Sequence, residues 1–119
     1  MTDAFRTRVA AIAAPLPGAT VDDPWGGGHD AWKVGGKMFA SIGAVMPGVS
    51  VKCADIDTAA MLIEAGLGER APYFHRSWIK LFETVDEAEL RHRILTSYHL
   101  VRTGLPATVR KSLPEAPEA

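Results

Sequence analysis

Alternating apolar and polar residues in the middle of the chain predict short antiparallel strands. Residues 32–34 alternate up to Gly35 and Gly36, and residues 37–42 resume the extended pattern. Two consecutive glycines supply the positive φ angles that a two-residue type I′ turn requires. We therefore predict a β-hairpin whose turn is Gly35-Gly36.

A second turn and a third strand follow this hairpin. Pro47 and Gly48 break the pattern, and residues 49–53 then place apolar side chains on one face and polar ones on the other. The apolar positions are Val49, Val51 and Cys53, and the polar ones are Ser50 and Lys52. The segment 31–53 is expected to form a half-buried antiparallel meander around which the rest of the chain is organised.

Helical spacing of apolar residues predicts three helices. The first covers residues 3–14 and ends before a proline, which cannot continue a helix. The second starts at an Asp55 cap and stops at Gly66, and the third runs from an Asp86 cap to about Thr103. Each helix carries one apolar stripe to bury.

The segments between these elements have weaker patterns. Residues 19–23 are expected to form a short strand and residues 26–28 the mobile tip of a glycine-rich loop. Residues 67–76 are expected to form a loop held by its aromatic residues, and residues 112–119 a frayed tail. Residues 77–83 are expected to form the last strand. In that strand Trp78, Lys80 and Phe82 alternate with Ile79 and Leu81.

These elements together predict the fold class. We expect an α+β domain in which N-terminal, middle and C-terminal helices pack on one face of an antiparallel β-meander sheet. The length of 119 residues fits one domain, which we assign to residues 1–111. The other sheet face would then stay open and carry Lys52, Trp78, Lys80 and Phe82.

Composition restricts the classes of function. The formal net charge of −1 and the pI near 6.4 lack the excess of basic residues that phosphate-binding proteins usually have. No apolar run is long enough to cross a bilayer, and the N-terminus does not follow the order of a signal peptide. We expect a cytoplasmic protein with a buried thiol at Cys53 and no membrane contact.

Four sequence motifs occur in an order that resembles a known family. They are WKVGGKMFA at 32–40, VSVKCAD at 49–55, APYFHRSWIKL at 71–81 and LTSYHLVRTGLP at 95–106. The chain is similar in these motifs to the MmcQ/YjbR-like family. The resemblance implies a compact α+β fold like that of frataxin and CyaY, described as a double-wing motif and often labelled DNA-binding. The recurring family positions carried over here are Gly36, Lys37, Phe39, Ala40, Lys52, Pro72, Tyr73, Trp78, Ser97 and Tyr98, none of them an established catalytic residue.

Basic and aromatic residues on the open face and in the loop at 71–77 form the candidate binding site. Such residues accept phosphates and stack on bases, so DNA or another anionic partner is the leading hypothesis. The candidate residues are Lys33, Lys37, Lys52, Tyr73, His75, Arg76, Trp78 and Lys80. The alternative interpretation is that these are solvated lysines on a sheet face with aromatic residues filling the rim of the core.

Other functional classes remain open or are disfavoured by the sequence. No motif supplies a nucleophile, a base and an orienting group, and no metal-ligand spacing occurs, so we expect neither an enzyme nor a cofactor or metal site. A second hypothesis is a protein-interaction or dimerisation module that buries Trp25, Trp78 and Phe82 in a partner. We expect the protein itself to be a monomer or weak dimer. A third is a small-ligand pocket between the glycine loop and the sheet.

Overall fold

The structure is a computed structural model, and it describes residues 3–116. These residues form four helices and six strands. The helices are α1 (Asp3–Ala13), α2 (Ile56–Glu64), α3 (Glu87–Thr103) and α4 (Ala107–Ser112), and the strands are β1 (Ala19–Asp22), β2 (Asp30–Val34), β3 (Lys37–Ile42), β4 (Val49–Lys52), β5 (Gly68–Arg70) and β6 (Trp78–Leu81). The expected α+β class is confirmed. Within the described residues, no helix is both long and apolar enough to cross a bilayer.

The strands form one antiparallel sheet in the order β1-β2-β3-β4-β6-β5. Strands β2, β3 and β4 are the predicted meander, and β1 is the short strand expected at residues 19–23. Gly35 and Gly36 form the first turn of the meander with φ angles of 58° and 81°. Strand β5 was expected to be part of a loop over residues 67–76. It is only three residues long and lies at the sheet edge, so it has too few positions to show an alternating pattern.

The helices cover one face of the sheet, as predicted. Helix α3 lies on β3 and β4, α2 lies on β5 and β6, and α1 packs against α3. The buried core between these layers contains Phe5, Val9, Ile12, Phe39, Val49, Val51, Ile79, Leu81, Leu90, Ile94 and Tyr98. Cys53 is 2% exposed, and burial raises the pKa of its thiol, which confirms a buried structural cysteine.

A β-bulge at Phe39 changes the direction of the hairpin side chains. Trp32 pairs with Ala40 and Lys33 pairs with Met38, so Phe39 has no partner on β2 and both Phe39 and Ala40 are buried on the helix side. Phe39 packs edge-on against the ring of Tyr98 in α3.

Ser97 of α3 bridges the backbones of β3 and β4. Its hydroxyl donates to the carbonyl oxygen of Phe39 at 2.6 Å and accepts the amide of Lys52 at 2.8 Å. The ladder between these two strands contains only two residue pairs, Ala40 with Val51 and Ser41 with Ser50. The buried hydroxyl thus satisfies two backbone groups that the ladder leaves unpaired.

The predicted helix caps are present. The side chains of Asp55 and Asp86 accept the amides of Thr58 and Glu89 at 2.7 Å and 2.8 Å. Hydrogen bonding by Thr58 lowers the pKa of Asp55 below its ordinary value of 3.8. Helices α2 and α3 therefore begin where the sequence indicates.

The C-terminal segment is held more firmly than the expected tail. Arg102, buried in α3, donates to the hydroxyl of Tyr98 at 2.8 Å and to the carbonyl oxygen of Pro114. Leu113 packs against the core beside Gly18. The chain is thus anchored as far as Pro114, and residues 117–119 of the expected tail lie outside the described residues.

Candidate functional site

The face of the sheet opposite the helices, here called the outer face, carries one continuous row of paired residues. The strand register aligns this row across all six strands. Its members are Asp22, Ala31, Ser41, Ser50, Lys80 and Glu69. Lys52 and Trp78 form the next pair on the same face, as the sequence predicted.

The outer face is less open than expected. Lys80 is only 8% exposed, and its ammonium lies 3.1 Å from the carboxylate of Glu69. Ser41 and Ser50 are also buried. Residues of loops 43–48 and 71–76 lie beside Ser41, Ser50 and Lys80 and restrict access to them. Sequence periodicity does not predict the positions of these loops.

A ring stack divides the outer face into two clefts. Phe74 and Trp78 stack with centroids 4.4 Å apart and planes inclined by 21°. On the Phe74 side lies the apolar cleft, of about 650 Å³, lined by Trp25, His29, Met38, Ser41, Gly43, Ala44, Val45, Met46, Ser50, Pro72, Tyr73, Phe74 and Lys80. On the Trp78 side lies the polar cleft, of about 670 Å³, lined by Lys52, Ala54, Asp55, Ile56, Asp57, His75, Ser77 and Trp78. Lys52 and Lys80 therefore line different clefts.

Three polar side chains form the floor of the apolar cleft. Ser41, Ser50 and Lys80 are neighbours on β3, β4 and β6. Within residues 3–116 neither serine hydroxyl has a hydrogen-bond partner, and Lys80 has Glu69 alone. The floor offers donors to a bound molecule, whereas the walls are apolar and aromatic.

The glycine-rich loop forms one rim of the apolar cleft, and Asp23 holds it in place. The Asp23 carboxylate accepts the amides of Gly28 and His29 at 2.9 Å and 3.1 Å. The Gly28 amide is the main cause that lowers the pKa of Asp23. The rings of Trp25 and His29 meet edge to face with centroids 5.1 Å apart, so the loop presents an exposed indole to the cleft mouth.

Loop 43–48 forms the opposite rim and is fixed at both ends. Arg6 of α1 donates to the carbonyl oxygen of Gly43 at 2.7 Å. Gly48 has φ 103°, and a Cβ there would lie 2.6 Å from the carbonyl oxygen of Leu81 and 3.0 Å from Cγ of Lys80. Only glycine allows this loop to lie so close to β6.

Tyr73 projects from the third rim without packing against the protein. It is fully exposed and has φ 70°, a conformation that residues other than glycine rarely adopt. Strained residues of this kind are enriched at binding sites.

The polar cleft contains a histidine and a serine in contact. Nδ1 of His75 lies 2.9 Å from Oγ of Ser77 and also accepts the Ser77 amide at 3.1 Å. The imidazole nitrogen is thus engaged in fixing the turn before β6. Asp55 and Asp57 line the same cleft, so the charge of Lys52 is opposed by two carboxylates.

The remaining predicted site residues do not join one surface. Lys33 lies on the outer face, paired at 3.2 Å with Asp22. Lys37 is opposite buried Val34 in the register, so it belongs to the helix side, and grouping it with Lys33 was wrong. Arg76 is exposed in the loop before β6, and no ion pair of the described residues involves it.

Sequence reasoning named Lys80 of the cleft floor but missed the two serines beside it and its partner Glu69. Ser41 and Glu69 lie in no motif, and Ser50 lies in the motif at 49–55 without being one of the recurring family positions. The alternation of Ser50 with Val49 and Val51 was the one available signal.

Acidic residues near the glycine loop do not form a metal site. Asp22 pairs with Lys33, Asp23 caps the loop, and Asp30 lies 3.1 Å from Arg6. In the part of the chain that the structure describes, no three histidine, cysteine or carboxylate side chains lie close enough to hold a metal ion.

These observations define a small α+β domain with helices on one face of an antiparallel sheet and two ligand-sized clefts on the other. The chain belongs to the YjbR family, whose sequence model matches residues 14–100. The solved structures similar to it include the crystal structure of Deinococcus radiodurans protein DR2400, which carries a DUF419 domain. The two chains share 21% identity over 92% of this chain and 89% of that one, with a TM-score of 0.78, which shows a common fold. No curated protein matches the sequence.

Proposed function

We propose that this YjbR-family protein is a non-enzymatic binding domain whose apolar cleft holds a small anionic ligand. The observation that carries the proposal is the floor of Ser41, Ser50 and Lys80 beneath apolar walls. Small-molecule sites are typically concave and mostly apolar, with a few polar groups that orient the ligand, and they usually enclose about 300–1,000 Å³. The cleft volume of about 650 Å³ lies within that range.

The contacts of His75 and Ser77 support a binding role over a catalytic one. A serine nucleophile needs a base that is free to take its proton and a second group that orients the base. Nδ1 of His75 is already occupied by the amide of Ser77. This pair therefore acts as part of the turn that positions Trp78.

Titration of the ¹⁵N-labelled protein with 8-anilinonaphthalene-1-sulfonate tests the proposal. We expect amide shifts concentrated at Ser41, Ser50 and Phe74. Replacement of Ala44, which lines the cleft, by Trp should fill the site and remove these shifts. Ala14→Trp, at an exposed position after α1, should leave them unchanged. Equal binding by the Ala44→Trp and Ala14→Trp variants would refute cleft binding.

DNA is a second candidate partner, favoured by Lys52, which pairs with Trp78 across the strands, and by Arg76, which is exposed in the loop before β6. No ion pair among the described residues involves either cation, and Trp78 is partly exposed. Asp55 and Asp57 oppose this candidate because they would repel a phosphate backbone. Fluorescence titration with duplex DNA at 50, 100 and 200 mM salt should then show steeply salt-dependent binding that Lys52→Ala weakens and Lys111→Ala, on exposed α4, does not. The absence of binding at about 50 mM salt would exclude it.

A further inference from the structure

The floor of the apolar cleft has more hydrogen-bond donors than the protein itself uses. An ammonium group carries three N–H donors, and in the part of the chain that the structure describes Lys80 has one partner, Glu69. The hydroxyls of Ser41 and Ser50 add two more donors. The Cβ atoms of residues paired across neighbouring antiparallel strands lie about 5 Å apart, and Ser50 and Lys80 are such a pair lining one cleft, so a single carboxylate can be placed between their polar groups.

Charge at the floor limits the ligand to one negative charge. Among the described residues, Lys80 is the one lysine or arginine that lines the apolar cleft, and Glu69 already neutralises it. The Lys80 side chain is 10% exposed, whereas that of Glu69 is 51% exposed. Glu69 can therefore turn into solvent on edge strand β5 when a ligand anion takes its place. A carboxylate fits this exchange, and a phosphate dianion would leave one charge uncompensated.

The walls of the cleft favour a flat apolar body. Phe74 is held rigidly by its stack on Trp78, and Trp25 and Met46 face the same space from two other loops. Aromatic rings and a thioether sulfur both make favourable contacts with an aromatic ring. Tyr73 adds an exposed ring at the mouth of the cleft.

We infer that the apolar cleft binds a small aromatic monocarboxylate. Its carboxylate bonds to Lys80 and Ser50 in place of Glu69, and its ring lies against Phe74 and Met46. This inference rests on the function proposed above and adds the chemical class of the ligand.

A matched pair of probes tests the ligand class. Naphthalene-1-acetate and naphthalene-1-acetamide share one ring system and differ in the charge of the head group. We expect the acid to bind at least tenfold more tightly than the amide by ¹⁵N chemical-shift titration, with the largest shifts at Ser50 and Lys80. Lys80→Met, which keeps the apolar stem, should weaken binding of the acid about tenfold, and Lys52→Met in the polar cleft should leave it unchanged.

The Glu69→Gln variant gives a prediction of the opposite sign. Removing the competing carboxylate should tighten binding of naphthalene-1-acetate several-fold and leave the acetamide unaffected. Weaker acid binding by this variant would overturn the inferred exchange, even if Lys80→Met proved unstable. Equal binding of acid and amide inside the cleft would refute the ligand class and leave the proposed function standing. The absence of cleft shifts with both probes and with 8-anilinonaphthalene-1-sulfonate would refute the proposed function as well.

Discussion

Replacement of Ser97 by Ala should destabilise the protein far more than the loss of one surface hydroxyl. The hydroxyl is fully buried and bonds two backbone groups, the Phe39 carbonyl and the Lys52 amide. A buried donor or acceptor left without a partner costs about 1–3 kcal/mol, and the Lys52 amide is only partly buried. We therefore expect a loss of about 2–4 kcal/mol in the free energy of unfolding.

Water is not expected to rescue this variant. A buried water needs about 10–15 Å³ of accessible volume, which is more than the loss of one hydroxyl oxygen provides. With a urea m-value of about 2 kcal/mol/M, the unfolding midpoint should fall by about 1–2 M. Hydrogen exchange of the Lys52 amide should also become faster.

Ser112→Ala is the matched control for this measurement. The Ser112 hydroxyl also donates to a backbone carbonyl at 2.6 Å, that of Val109, but at an exposed site. Its free energy of unfolding should change by less than about 0.5 kcal/mol. If Ser97→Ala stays within that same margin and keeps the Lys52 amide protected, the bridge does not stabilise the sheet.

Three further predictions concern the loops and caps. Gly48→Ala should lower the free energy of unfolding by about 3 kcal/mol because of backbone strain and the contact with Leu81. Gly36→Ala should lower it by about 1 kcal/mol, because its added Cβ would meet nothing within 4 Å. Equal losses in urea unfolding would contradict the close approach of Gly48 to β6. Tyr73→Asn should keep or raise stability by up to about 1 kcal/mol, since Asn tolerates a positive φ, while weakening ligand binding at the cleft; a loss above about 1 kcal/mol would mean that the ring packs. The lowered pKa of Asp55 means that its cap stabilises the protein above the ordinary pKa of 3.8, and this contribution is lost as the pH falls through the lower folded value. Urea midpoints of wild type and Asp55→Ala should therefore converge between about pH 5 and pH 2. The Asp55→Asn variant, whose cap does not titrate, should lose less stability with acid. If the urea midpoints of wild type and Asp55→Ala stay equally far apart at every pH, this account of the cap is wrong.

Local signals account for the elements that the sequence predicted well. The Gly35-Gly36 turn and the Asp55 and Asp86 caps depend on residues within a few positions of each other, so their chemistry can be read from a short segment. The family motifs added the correct fold class and the family itself.

The candidate site depended on pairings that no short segment contains. Ser41, Ser50, Lys80 and Glu69 meet because β5 and β6 exchange order at the sheet edge. Lys33 and Lys37, in contrast, lie on opposite faces because the Gly35-Gly36 turn pairs Val34 with Lys37 and Lys33 with Met38, so this separation follows from the hairpin register alone.

The Phe74–Trp78 stack also gives Trp78 an environment unlike that of the other two tryptophans, so the three indoles can serve as internal fluorescence reporters. The three tryptophans stand in three different environments: Trp25 in solvent at the mouth of the apolar cleft, Trp32 in the core, and Trp78 in the partition between the clefts. Variants that retain one indole at a time would therefore separate ligand entry, global unfolding and rearrangement of the partition in a single emission experiment, without an attached dye.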